Sequence, residues 1–191
     1  MRALSANTWT NWSGFQKAQP QHIFHPTDIQ ALQDIVRDHP HIREVGAGHS
    51  FSPLVCTDAT LISLNHMTGV VSSDVSHCQS TIYSGTRLCD LDESLQPINQ
   101  ALINQGDIDQ QSLAGAISTG THGTGADLHC MSAYVKGFEL LTASGEILKC
   151  SRMEHPEIFA AGRISLGSLG ILTQITLQNR PRYKLKEHIE L

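Results

Sequence analysis

The sequence predicts an α+β fold of two lobes, a small lobe with parallel strands followed by a larger lobe with a mostly antiparallel sheet. A strand, a helix and a second strand succeed one another within residues 24–45, which is typical of a small parallel unit. Further along, two apolar runs flank the turn Ser144-Gly145 and predict a β-hairpin. Helical patterns lie between the strands of this second part, so we expect helices on one side of an antiparallel sheet.

The first lobe is expected to span about residues 9–69. Phe24-His25-Pro26 predicts a short strand that ends at the proline, and Thr27 can cap a helix that runs to about Asp38. The apolar positions of that helix recur at helical spacing, at Ile29, Leu32, Ile35 and Val36. Two further strands follow, at Ile42–Val45 and Leu61–Leu64.

The second lobe is expected over about residues 70–181. Its predicted strands are alternating or apolar runs bounded by turn residues, at Gly69–Val75, Ser80–Ser84, Tyr134–Ala143, Glu146–Cys150 and Ile171–Leu177. A helical pattern begins at Leu88 and continues to Leu102, and a short helix is expected over His155–Ala161. These elements predict one antiparallel sheet with helices packed against it.

Composition restricts the function classes. Of the 191 residues, 40% are apolar and 16% are charged, so the chain can bury a hydrophobic core. The formal net charge is −5 and the basic residues are scattered, which argues against a surface for nucleic acid or for anionic membranes. No apolar run approaches the length of a membrane span, and the first residues lack the apolar stretch of a signal peptide.

Cysteine and histidine usage bears on location and metals. The five cysteines include no Cys-x-x-Cys spacing, which argues against a zinc ribbon or a disulfide framework. An odd number of cysteines without such a framework favours a reducing compartment, and we expect a cytoplasmic protein. The eleven histidines show no converging set of ligands, so no metal site is predicted.

The segment Ile42–Leu54 combines Gly-x-Gly with a histidine directly behind it. Gly46 and Gly48 permit close backbone approach, and successive N–H groups in such a loop suit an anion such as a pyrophosphate. A Rossmann site would place a third glycine where Phe51 stands, and no Gly-Lys-Ser/Thr of a Walker loop occurs. Two interpretations stay open on these residues alone: an ordinary tight turn, and a phosphate loop of another kind with His49 beside the ligand.

The segment Asn104–Gly125 is crowded with small residues. Its glycines can bring backbone amides close to a ligand, at Gly115, Gly120, Gly123 and Gly125. Its hydroxyl groups add short donors, at Ser112, Ser118, Thr119, Thr121 and Thr124. Every buried polar atom of a ligand needs a hydrogen-bond partner, so this composition favours a ligand-lining loop over a purely structural one.

Three motifs in this order resemble a known family. They are Val45-Gly46-Ala47-Gly48-His49-Ser50, then Gln105–Gly125 with its core AGAISTGTHGTG, then Gly167-Ser168-Leu169-Gly170-Ile171-Leu172-Thr173. Together they are similar to the PCMH-type FAD-binding domain of the vanillyl-alcohol-oxidase flavoproteins. Within that family they look most like the aldonolactone oxidases, of the L-gulonolactone and D-arabinono-1,4-lactone types, and the alditol oxidases. The resemblance covers about Trp9 to Pro181 and implies a two-lobed fold that closes around FAD.

The resemblance implies which residues contact FAD. From the first lobe these are Gly46, Ala47, Gly48, His49 and Ser50, around the pyrophosphate. From the second lobe they are Ser112, Gly115, Ile117, Ser118, Gly120, Thr121, His122 and Gly123, at the pyrophosphate and the flavin. Ser112 is expected near the reactive edge of the flavin and is the one catalytic candidate, whereas His122 is given no acid–base role. Ile171 is expected to offer backbone contacts toward the adenine end, with a purely structural strand position as the alternative.

His49 receives a specific expectation from the resemblance. In many members of the family the histidine after Gly-x-Gly is bonded covalently to the 8α-methyl carbon of the flavin. A neutral imidazole nitrogen is a good nucleophile when it is held beside an electrophilic carbon. The alternative is a histidine that lies beside the flavin without a bond.

Members of the family are much longer than this chain, and their second half is a substrate or cap domain. We expect that domain to be absent, so that residues 1–191 form the FAD-binding part of an oxidase. The parent enzyme would oxidise a hydroxyl of a sugar lactone or polyol and pass the electrons to O2, giving H2O2. Alone, the chain is expected to bind FAD with little turnover, and a partner chain could supply the missing half. A non-catalytic flavin-binding or interaction module is the other function class.

Overall fold

The computed structural model of the chain describes residues 7–186, 188 and 189. In this range the strands form a three-stranded parallel sheet, a five-stranded antiparallel sheet and two separate two-stranded pairs. The predicted α+β fold, in which a small parallel sheet precedes a larger antiparallel one, is confirmed. Residues 1–6, where no signal peptide is expected, lie outside the described residues.

The N-terminal part contains the parallel sheet. Its elements are β1 (Trp9–Thr10), β2 (Lys17–Ala18), β3 (His22–Phe24), α1 (Ile29–Asp38), β4 (Ile42–Val45) and β5 (Thr60–Ser63). β1 and β2 pair as an antiparallel hairpin that the sequence did not predict. β3 and β4 each pair in parallel with β5, so β5 is the central strand. The three predicted strands and the predicted helix are therefore present, although the first strand ends at Phe24, two residues before the predicted proline.

The cap of α1 differs from the prediction by one residue. Thr27 is not the cap; Asp28 is, and its Oδ1 accepts a hydrogen bond from the Ala31 N–H at 2.9 Å. The backbone of Asp28 is extended, which is the conformation that lets a side-chain oxygen reach the third helical N–H. Leu32 and Val36 form the buried face of the helix, in agreement with the predicted periodicity.

The C-terminal part contains the antiparallel sheet. Its elements are β6 (Val70–Asp74), β7 (Gln79–Tyr83), α2 (Leu88–Leu95), β8 (Gln100–Ala101), α3 (Leu113–Ser118), β9 (Val135–Leu141), β10 (Ile147–Ser151), α4 (Pro156–Gly162), β11 (Ile171–Gln178) and β12 (Arg180–Pro181). The five-stranded sheet has the order β10-β9-β11-β7-β6, and every pair in it is antiparallel. β8 and β12 pair separately. Residues of α2, α3 and α4 are buried together with residues of β7, β9 and β11 in one core.

The helix α2 ends earlier than its apolar spacing predicts. It stops at Leu95 and continues only as a short 3-10 helix, Gln96–Ile98, rather than running to Leu102. Pro97 has no N–H to donate to the preceding turn, which disfavours an α-helix at this point. Asn99 then adopts the left-handed conformation, with φ of 53°, and turns the chain into β8.

The two sheets share one part of the core. Leu32 of α1 is buried in the same cluster as Leu141 of β9 and Ile171 of β11, so the first helix packs against the end of the larger sheet. Gly85 lies where a β-carbon would collide with the backbone carbonyl of Leu64, which follows β5. Close contact between the sheets therefore requires glycine there. Among the described residues, no helix has the length and apolarity needed to cross a bilayer.

Candidate functional site

The loop that follows β4 presents its carbonyl groups to the N-terminal hairpin. Four successive carbonyl oxygens accept hydrogen bonds from it: Gly48 O from Trp12 N at 3.1 Å, His49 O from Trp12 Nε1 at 3.2 Å, Ser50 O from Asn11 Nδ2 at 3.0 Å and Phe51 O from Gln16 Nε2 at 2.8 Å. Within the described part of the chain, no N–H group of residues 46–51 donates a hydrogen bond. The loop therefore keeps its donors available for a ligand, and backbone N–H groups in a loop of this kind suit an anion.

The N-terminus of α3 forms the opposite side of the site. Ser112 caps this helix, because its Oγ accepts a hydrogen bond from the Gly115 N–H at 3.3 Å. A β-carbon on Gly46 would collide with the same Ser112 Oγ, and one on Gly115 would lie 3.1 Å from it. Glycine at residue 46 therefore allows the loop and the helix to approach each other closely.

A cavity of about 380 Å³ lies between the loop and α3. It brings together eight of the predicted site residues, namely Gly46, Ala47, Gly48, His49, Ser50, Ser112, Gly115 and Ser118. A second cavity of about 370 Å³ adjoins it and is lined by Ile171. The two cavities share Glu44, Leu54, Val55, Leu166 and Gly167, so they form one continuous cleft.

The remaining predicted residues do not line these cavities. Ile117 is buried in the core, and residues 120–123 follow the C-terminal end of α3. The N–H groups of Gly120 and Thr121 donate to Ile117 O and Ala116 O, so they are used inside the fold. The exposed His122 has its Nδ1 2.9 Å from Gly123 O. Cofactor contacts from residues 120–123 stay a prediction.

His49 has a defined environment on the edge of the cleft. Its ring is half-buried and stacks on the indole of Trp12, with ring centroids 5.3 Å apart and planes inclined by 16°. Burial lowers the pKa of His49, and the positive charge of Arg87 lowers that pKa further. Arg87 itself is held by a 2.7 Å hydrogen bond from its Nη1 to Gln110 O. The imidazole is therefore kept neutral near pH 7.

Glu44 is a cleft residue that the sequence analysis missed. It lines both cavities, and burial raises the pKa of its carboxyl group to about 7. The pair of charged residues, Arg43 and Glu44, in the short strand before Gly-x-Gly was the available signal. Arg87 was also missed. It directly precedes α2, and the residue pattern there predicts only the apolar face of that helix. Among the described residues, no group of three or more His, Cys, Asp or Glu could hold a metal ion.

Comparison with known families decides what kind of domain carries this cleft. Residues 20–151 match the family described as the FAD binding domain. The chain belongs to this family. Both segments that face each other across the cleft of the FAD-binding domain, residues 46–51 and the start of α3, lie inside the matched range. The predicted family and its FAD cofactor are thereby confirmed.

Curated relatives extend the similarity to almost the whole FAD-binding domain. The chain is 37% identical to L-gulono-1,4-lactone dehydrogenase of Mycobacterium tuberculosis over 184 residues, which is 94% of this chain and 42% of the relative. It is 34% identical to L-gulonolactone oxidase of Bos taurus over 93% of this chain and 41% of the relative. It is 33% identical to D-arabinono-1,4-lactone oxidase of Candida albicans over 95% of this chain and 36% of the relative. The chain thus spans about two fifths of the length of the relatives it matches.

The cleft is chemically suited to FAD. The dinucleotide carries an anionic diphosphate, whose oxygens need hydrogen-bond donors. Residues 46–51 supply N–H groups without internal partners, and the carbonyl oxygens of residues 48–51, which would repel an anion, are bound to the hairpin. The Ser112 hydroxyl accepts from Gly115 N, so its own proton remains available to a ligand.

Proposed function

We propose that the continuous cleft holds FAD, with the diphosphate bound by the N–H groups of residues 46–51. The observation that carries this proposal is the set of four carbonyl groups tied to the N-terminal hairpin, which leaves a donor-rich loop facing α3. The two expected lobes, residues 9–69 and 70–181, would then form the two sides of the site. The cavity beside Ile171 would take the adenine end.

The flavin end would occupy the cavity between His49 and Ser112. There the hydroxyl of Ser112 would donate a hydrogen bond to the ring, since its oxygen already accepts one from Gly115 N. When bound, FAD supplies a two-electron acceptor for a substrate hydride. The residues of this chain would bind the cofactor and position its flavin ring.

We also propose that His49 forms a covalent bond to the 8α carbon of the flavin. A neutral imidazole is the nucleophilic form, and burial together with Arg87 favours it. The new nitrogen–carbon bond replaces one N–H bond of the imidazole and one C–H bond of the methyl group. The two protons and two electrons released by this replacement would be taken up by O2, which would form H2O2.

For the whole protein we propose oxidation of a hydroxyl group on a sugar lactone or an alditol, with O2 as the acceptor. The names of the relatives support the lactone class. The 191-residue chain alone should bind FAD and turn over poorly, because fixing the substrate carbon and removing its hydroxyl proton need groups placed against the other side of the flavin.

The test compares wild type, His49→Ala and His41→Ala, each expressed with ample riboflavin. Intact mass spectrometry should show a flavin increment in wild type that survives acid precipitation. His49→Ala should lose the increment, while His41→Ala, whose residue is exposed and lies outside both cavities, should keep it. A wild-type protein without the increment would reject the covalent bond. A colourless protein that fails to take up added FAD would reject the proposed function itself.

A further inference from the structure

Trp12 makes four contacts with the loop that carries His49. Its backbone N–H donates to Gly48 O at 3.1 Å and its indole Nε1–H donates to His49 O at 3.2 Å. Its ring lies nearly parallel to the imidazole of His49, and it meets the ring of Phe51 edge-on at 5.8 Å. Each of these partners belongs to residues 48–51.

This placement does not serve the hydrophobic core. Trp12 is 60% exposed, which is unusual for so large an apolar side chain. Neither core cluster of the described residues includes it. Its contacts orient one loop, and the side chain of that loop that stacks on the indole is His49.

We propose that Trp12 is a positioning residue that holds the imidazole of His49 in the plane required for its bond to the flavin. This inference rests on the proposed attachment at His49. A histidine side chain on an unsupported loop can rotate about two side-chain torsions, and reaction requires the attacking nitrogen to lie in line with the carbon. Because Trp12 is anchored by its backbone N–H and by its indole N–H, stacking on the indole restricts the imidazole ring. His49 also lines the cavity.

The test follows the rate of covalent incorporation of FAD into Trp12→Leu and Trp12→Phe, measured by intact mass against time. An aromatic pair contributes roughly 0.5–1.5 kcal/mol, so Trp12→Leu should slow incorporation by about two- to tenfold. Trp12→Phe should recover part of the rate, because it keeps an aromatic face. Phe15→Leu is the matched control, since Phe15 is on the same hairpin and is 80% exposed, and it should incorporate at the wild-type rate.

A second readout separates positioning from a general loss of the site. In a His49→Ala background, the non-covalent affinity for FAD should be the same with Trp12 and with Leu at this position. Equal losses of affinity and incorporation in Trp12→Leu would assign Trp12 a structural role and overturn the inference, as would unchanged incorporation. A wild-type protein that carries no covalent flavin would instead reject the proposed bond at His49. This outcome is therefore distinct from one that rejects only the positioning role of Trp12.

The stack can also be detected without any variant of Trp12. In a Trp9→Phe background Trp12 is the single tryptophan of the chain, because the sequence contains two. Its emission should rise when His49→Ala removes the neighbouring imidazole. Identical emission with and without His49 would show that the rings are not in contact, and this result would overturn the inference even if Trp12→Leu failed to fold.

Discussion

The hydroxyl oxygen of Ser112 occupies the space that a β-carbon on Gly46 would fill. Through this contact the loop after the parallel sheet meets the first turn of α3. The same oxygen caps that helix, so one atom fixes both the helix start and its distance from the loop.

Gly46→Ala should therefore push the loop and the start of α3 apart, because the added methyl group would collide with Ser112 Oγ. We expect the free energy of unfolding to fall by about 1–3 kcal/mol, the range for inserting a methyl group into a well-packed position. FAD affinity should fall as well. Urea denaturation and flavin titration measure the two effects.

A double-mutant cycle supplies the control for Gly46→Ala. Ser112→Ala alone should cost about 1 kcal/mol through the lost cap. Combined with Gly46→Ala it should restore part of the stability, because the colliding oxygen is gone. Strictly additive losses would contradict the proposed collision.

Removing the charge of Arg87 should raise the pKa of His49. Burial is the larger cause of the lowered pKa and would remain, whereas the contribution of Arg87 would disappear in Arg87→Gln. In this variant the NMR titration of the His49 imidazole should move to higher pH. At pH values below that titration midpoint, covalent attachment should be slower, because the protonated imidazole is not nucleophilic. Arg87→Lys should keep most of the effect, and Arg152→Gln on the exposed surface should change nothing. A titration unmoved by Arg87→Gln would contradict the assigned cause.

Glu44 should make the free energy of unfolding depend on pH between about 4.5 and about 7. Its pKa is raised from 4.5 to about 7, so between these values the folded domain retains a proton that the unfolded chain releases. The wild-type free energy of unfolding should consequently fall, relative to that of Glu44→Gln, as pH rises from about 4.5 to about 7 and should level off above that. Denaturation of the FAD-free protein at several pH values measures the difference. A free-energy difference between wild type and Glu44→Gln that does not change over this pH range would refute the raised pKa of Glu44. Glu157→Gln, at an exposed position of α4, is the comparison variant.

Asn11 should be the most sensitive polar residue of the hairpin. It is 3% exposed, donates to Ser50 O at 3.0 Å and accepts from Gln16 N at 3.0 Å. Asn11→Ala leaves these groups unpaired and should lower the free energy of unfolding by about 1–3 kcal/mol. Asn7→Ala, which loses an exposed side-chain bond to Gln21 O, should stay within about 0.5 kcal/mol in the same denaturation experiment.

The sequence predicted the elements whose pattern is local. β4 and the β9–β10 hairpin have apolar runs and turn residues that define them without help from the rest of the chain. The small helix α3 was missed because its stability is not local. Its first N–H groups donate to residues distant in sequence, Leu113 N to Thr86 O at 2.8 Å and Ala114 N to Ser84 O at 3.0 Å.

The same distinction applies to the cleft. The glycines and His49 could be recognised from a motif, but Glu44 and Arg87 owe their importance to burial and to proximity across the fold. The carbonyl partners supplied by Asn11, Trp12 and Gln16 likewise depend on contacts between segments far apart in sequence. No periodicity in a segment as short as the N-terminal hairpin could indicate them.

The position of that hairpin has a practical consequence for recombinant work. The family match begins at residue 20, just after the hairpin ends at Ala18. An expression boundary drawn at the match would delete every donor that now holds the carbonyl groups of residues 48–51. A protein trimmed in this way could keep both sheets and still lose its flavin, so a failed binding assay on it would report the choice of boundary and not the chemistry of the domain.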